Sequence, residues 1–85
     1  MSITTRIDRH ADLVNRMADT LGVSLFGAVT QGELSAGDLR SLVFKCLGCQ
    51  EVDACTAFLD SHAPGEATAT PSYCRNRETL NRLVR

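Results

Sequence analysis

Ile7, Ala11, Val14, Ala18 and Leu21 recur at steps of four and three residues, and this rhythm constrains the fold more than any other feature. Side chains so spaced share one face of an α-helix, so the stretch reads as amphipathic, with His10, Leu13 and Met17 widening the apolar stripe. Thr5 with Asp8 reads as the N-terminal capping box, and Gly22 as the stop. A chain that opens this way must supply other apolar faces to cover the stripe.

The segments that follow are short, helical in pattern and punctuated by glycine. Ser24 caps a brief helix that turns Leu25, Phe26, Ala28 and Val29 inward and ends at Gly32. Ser35, with Asp38 as its capping-box partner, opens a third helix burying Leu39, Leu42, Val43 and Cys46, which Gly48 breaks. A fourth spans Glu51 to Asp60 and presents Val52, Cys55, Phe58 and Leu59. Residues 61–70 are small and polar, with Pro64-Gly65 as a turn signal, and read as loop. Pro71 suits the first turn of a last helix with Cys74, Leu80, Leu83 and Val84 facing in. No alternation of strand type is present. The expected fold class is all-α: one domain over residues 1–85, a small bundle of four to five short helices.

Eighty-five residues bury a limited core, and domains of this size often carry a metal or a disulfide as a staple. With no Trp, one Tyr and three Phe, that core must be built from Leu, Val, Ala and Met. Nine basic against ten acidic side chains leave a net charge of −1, which provides no general field for nucleic acid or an anionic membrane. The segment Arg75–Arg85 holds four Arg and one acid, Glu78, and reads as solvated charge on a helix face. The N-terminal residues carry charges where a signal peptide needs an apolar run, and no stretch is apolar enough to span a membrane. The expectation is a cytoplasmic protein, in which cysteines point to metal or redox chemistry before a disulfide framework.

The Cys-rich half, residues 46–74, is where chemistry concentrates. Cys46 and Cys49 form a C-x₂-C step, Cys55 follows after five residues and Cys74 after eighteen more. Thiols at i and i+3 lie side by side on a helix or tight turn and can hold one metal or one cluster edge. Gly48 between them permits close backbone approach and an N–H aimed at a sulfur. The loop before Pro71 gives Cys74 the reach to supply a fourth corner, and a place near the start of the last helix would favour its thiolate. Phe44, Leu47, Phe58 and Leu59 would form an apolar shell. Zinc sites favour two short pairs, whereas iron–sulfur ligation commonly joins a tight triplet to one remote cysteine. All four cysteines, Cys46, Cys49, Cys55 and Cys74, are therefore candidate ligands of one centre, an iron–sulfur cluster ahead of zinc. Disulfides, free buried thiols and a dithiol redox pair stay open beside it.

The C-x₂-C-x₅-C triplet is similar to that of WhiB-type iron–sulfur regulators and of the cluster loop of endonuclease III-type glycosylases. In both, the fourth cysteine precedes the triplet; here it follows. Over most of its length the chain resembles a family of small bacterial proteins of unknown function, DUF6455. The resemblance rests on Met17-Ala18, Gly22-Val23, Gly32-x-Leu34-Ser35, Asp38-Leu39, the cysteine triplet, Phe58-Leu59, and Pro71-x-x-Cys74-x-Asn76 with Leu80. Phe58 stands where the family pattern has Trp. The resemblance implies a whole domain and assigns no activity.

Other candidates carry less. His10, on a helix flank, and His62, in a loop, suit structural roles. Asp8, Asp12 and Asp19 suit solvation or pairing with Arg9 or Arg16. Residues 18–24 resemble the turn of a helix-turn-helix, but Leu25-Phe26-Gly27-Ala28-Val29 has no side chain to read bases or neutralise phosphates. No Ser-His-Asp set, phosphate loop or catalytic carboxylate pair is readable. The expectation is a non-enzymatic module holding one metal centre in a structural or redox-sensing role, with an unidentified protein as partner and neither nucleic acid nor membrane. The alternatives are a protein-interaction adaptor whose cysteines merely pack or pair, and a small regulator acting through a basic patch on the Arg75–Arg85 segment.

Overall fold

The computed structural model of the chain describes residues 3–84, with side chains from residue 6 onward. Among the described residues there are five helices and no strand: α1 (Ile3–Thr20), α2 (Leu25–Thr30), α3 (Ala36–Leu47), α4 (Val52–Asp60) and α5 (Arg77–Leu83). The all-α expectation holds. α1 packs chiefly on α3 and then on α4, and its rhythm is realised, with Leu13, Val14, Met17, Ala18 and Leu21 buried. Leu34, Leu42, Leu59, Leu80 and Leu83 meet that stripe and complete a core dominated by leucine.

The boundaries follow local chemistry. At Gly22 (φ 74°) the Val23 N–H bonds back to the Ala18 carbonyl at 2.8 Å and the Gly22 N–H to Asp19 at 3.0 Å. At Gly32 (φ 79°) Glu33 bonds to Ala28 at 2.8 Å and Gly32 to Val29 at 3.1 Å. Both helices thus end in the paired closure that a left-handed residue makes possible. Ser24 Oγ accepts from the Gly27 N–H at 3.0 Å. Ser35 and Asp38 form the reciprocal capping box, with Asp38 N–H donating to Ser35 Oγ at 3.0 Å and Ser35 N–H to Asp38 Oδ2 at 2.9 Å.

Four local expectations are corrected. α1 already runs from Ile3, so Thr5 lies within it instead of capping it, and its side chain is outside the described residues. Phe26 and Val29 face outward, Phe26 at 71% exposure, because a six-residue helix has one inward face and Ala28 occupies it. Gly48 ends α3 with φ −84° and directs its N–H to the Lys45 carbonyl at 3.1 Å, not to a sulfur. The last helix begins at Arg77, since residues 71–77 first make two tight turns: Cys74 N–H bonds to Pro71 O at 3.1 Å and Arg77 N–H to Cys74 O at 3.2 Å.

The loop over 61–70 decides how the halves of the chain meet. The Gly65 N–H bonds to the Asp19 carbonyl at 2.9 Å and the Ala67 N–H to Thr20 at 3.0 Å. These carbonyls belong to the last turn of α1, where helical partners run out. The Thr70 N–H then bonds to Asn81 Oδ1 at 2.9 Å. Strapped at both ends, the loop returns residues 71–76 to the α3–α4 junction.

Candidate functional site

The four cysteines reach one place from four different local settings. Cys46 lies in the last turn of α3, and Cys49 in the turn that follows, its N–H bonded to the Cys46 carbonyl at 3.0 Å. Cys55 sits in the first half of α4, and Cys74 in the double turn ahead of α5. All four line a single partly enclosed cavity of about 30 Å³. That exceeds the roughly 10–15 Å³ needed by one water-sized group. Leu13, Val14 and Met17 of α1 and Leu80 of α5 form its apolar wall, and Tyr73, Arg75 and Asn76 complete the lining.

This wall differs from the shell expected of Phe44, Leu47, Phe58 and Leu59. Phe44 points outward at 58% exposure, and Phe58 instead packs on the His62 ring with centroids 4.2 Å apart. α1 is the element that covers the thiols, and its contribution was hidden because Leu13 and Met17 read only as core. The Tyr73-Cys74-Arg75-Asn76 run contributes four consecutive lining residues, a concentration that only a turn at the cavity edge permits.

The thiols are free and half-buried. Burial pushes Cys46 up to about 12, with the Cys55, Cys49 and Cys74 thiols adding to the shift. Burial likewise raises Cys55, reinforced by Cys74 and Cys49 and opposed by Arg16. Cys74 is also raised by burial, opposed by the nearby Asn76 backbone, so the expected lowering by a helix start is corrected. Tyr73 is raised by burial and then by the Cys55, Cys49 and Cys74 thiols. Cys46, Cys55 and Cys74 are each raised further by at least one other thiol of the cavity. Metal-free, Cys46, Cys55 and Cys74 are favoured as neutral thiols; a cation among them would favour the thiolates.

One of the sulfurs already accepts a backbone hydrogen bond. The Glu51 N–H donates to Cys49 Sγ at 3.4 Å, from two residues downstream. Such a bond favours the charged sulfur. Donor set, apolar wall and the N–H···S bond at Cys49 fit a thiolate-bound centre. The sulfurs surround the cavity without closing on a point: among the described residues, no three His, Cys, Asp or Glu side chains are arranged to hold a single metal ion.

The two histidines lie elsewhere. His10 is buried on α1, its Nδ1 within 2.9 Å of the Arg6 carbonyl, and His62 Nδ1 lies 2.7 Å from the Phe58 carbonyl. Arg16 pairs with Asp60 across α1 and α4 at 2.9 Å. Asp8, Asp12 and Asp19 are all exposed. No helix among the described residues is long and apolar enough to cross a membrane.

A family of unknown function, DUF6455, matches residues 1–85, and the chain belongs to it. Neither the curated proteins nor the solved structures contain a match.

Proposed function

For this member of the DUF6455 family, we propose a non-catalytic module that binds one metal centre through Cys46, Cys49, Cys55 and Cys74. The observation that carries the reading is the convergence of all four thiols on one cavity from segments up to 28 residues apart (46 to 74), without a disulfide among them. Thiols left to pack as small apolar groups have no reason to gather, because each gains the same burial anywhere in the core.

An iron–sulfur cluster stands ahead of zinc. A zinc tetrahedron with bonds of about 2.3 Å brings its sulfurs to roughly 3.8 Å from one another. The C-x₂-C-x₅-C triplet joined to one remote cysteine follows the spacing that iron–sulfur ligation commonly uses, whereas zinc sites favour two short pairs. Bound there, a cluster would supply one-electron chemistry and a cross-link between α3, α4 and the turn before α5. The role is then structural or redox-sensing, in a cytoplasm that keeps thiols reduced.

The test is anaerobic purification with metal and acid-labile sulfide analysis. Iron and sulfide together with broad visible absorption support a cluster; one zinc per chain with no colour supports the tetrahedral ion. A metal-free protein that neither metal alters, in spectrum or in unfolding midpoint, overturns the centre.

A second reading rests on a different surface. Leu25, Phe26 and Val29 of α2, Leu39 and Val43 of α3, and Ala11 and Val14 of α1 line a largely apolar groove of about 480 Å³. An adaptor that engages a protein partner would use such a groove and leave the cysteines as packing. Retention of partner binding after all four cysteines become serine would favour it.

A further inference from the structure

We infer that Asn76 is the positioning residue of the cysteine site, the side chain that fixes Cys74 against the α3 turn carrying Cys46. The inference rests on the reading of the four thiols as one centre.

Asn76 is 3% exposed, although it stands at the N-terminal boundary of a surface helix where asparagine normally turns its side chain back to the helix's own N–H groups. Here it makes no such cap. Its Nδ2–H instead donates to the Leu42 carbonyl at 2.8 Å, a buried bond across 34 residues. A carbonyl accepts only from the nitrogen end, so the amide's orientation is set by its partner. Leu42 lies one helical turn before Cys46 on α3, and the α-helical ladder pairs its carbonyl with the Cys46 N–H. The same oxygen thus receives the backbone of one cysteine and the side chain that follows another.

The rest of Asn76 is committed to the site as well. Its backbone carbonyl accepts the Leu80 N–H at 2.9 Å, anchoring α5 just behind the cavity. Asn76 lines that cavity, and its Oδ1 is buried with no hydrogen-bond partner among the described residues. A position serving the core alone would hold leucine at lower cost, since an unpaired buried amide oxygen is unfavourable. An asparagine that ties with one end, keeps its oxygen unpaired and lines the cavity with all four cysteines is explained by the site, not by packing.

The test compares Asn76→Ala with Leu83→Ala, a buried core truncation that does not line the cavity and calibrates loss of stability. Two readouts are taken on the full chain. One is metal per chain after anaerobic loading with ferrous iron and sulfide, and separately with zinc. The other is the rate at which a trivalent arsenical bridges Cys74 to a neighbouring thiol in the metal-free protein, mapped by mass spectrometry. Asn76→Ala is expected to slow bridging at least tenfold and to load less than half the wild-type metal, while Leu83→Ala, unfolding at lower denaturant, keeps both near wild type. Bridging and loading in Asn76→Ala that match Leu83→Ala overturn the proposal. A wild type that loads neither metal sinks the metal reading, and slowed bridging in Asn76→Ala then still supports the positioning role. Should Asn76→Ala fail to fold, Asn76→Ser, which is too short to reach Leu42, is read in the same two assays with the same outcomes.

Discussion

At the scale of single residues, the thiols are not equivalent, and burial sets their differences. Cys46 is held up to about 12 by burial and by three neighbouring thiols, so at neutral pH its metal-free thiolate fraction is minute. Timed alkylation with iodoacetamide and peptide mapping should find Cys46 modified at least tenfold more slowly than an unshifted cysteine in the denatured chain. Its rate should climb as the pH approaches 12. The same shift has a sign for stability. A raised value means that the folded state holds the proton more tightly than the unfolded one. The contribution is therefore full below the ordinary thiol value of 9.0 and is lost as the pH rises toward 12. Urea midpoints of the metal-free protein should fall across that window; a flat profile there would contradict the environment assigned to Cys46.

At the scale of the element, short helices depend on their ends, because six to twelve residues nucleate poorly without help. The Ser35–Asp38 box at the start of α3 is the most complete of these devices. Ser35→Ala should destabilise the chain by about 1 kcal/mol, read as a lowered urea midpoint with an unchanged slope. The two bonds with Ser35 hold Asp38 below its ordinary value. The box's carboxylate half therefore persists at neutral pH and is lost only as the pH falls through that depressed value. Gly22→Ala should cost a further ~1–2 kcal/mol, since a Cβ is strained at φ 74° although no atom stands closer than 3.6 Å. These end signals were the most legible part of the fold. Ser24, Gly32, Ser35 and Asp38 act where their chemistry placed them, whereas α2's inward face was misjudged because Phe26 is apolar yet turned away from the core.

At the scale of the molecule, core and site share their walls. Leu80 is among the most completely buried side chains and also lines the cysteine cavity. Leu80→Ala should cost about 2–5 kcal/mol. A domain of this size holds only roughly 4–13 kcal/mol in total, so circular dichroism should find it close to the edge of folding at 37 °C. A bound centre would add to that margin by linking α3, α4 and the turn before α5. Chelation should therefore lower the wild-type unfolding midpoint, and Cys74→Ser should remove most of the difference between loaded and stripped protein. Equal, small losses on changing each of the four cysteines would mean that they act separately.

The residues by themselves determined the helical class, the order of the helices, the stops at Gly22 and Gly32 and the identity of the four thiols, because periodicity, capping and cysteine chemistry act over a few neighbours. Tertiary structure alone decided what surrounds those thiols. The cavity wall comes from α1, some thirty residues before the first cysteine, and the tie that places Cys74 runs from Asn76 to Leu42 across 34 residues. Neither is written in local pattern: a leucine that lines a site and a leucine that fills a core look alike in sequence, and an asparagine before a helix reads as a cap until its partner is seen to be a distant carbonyl.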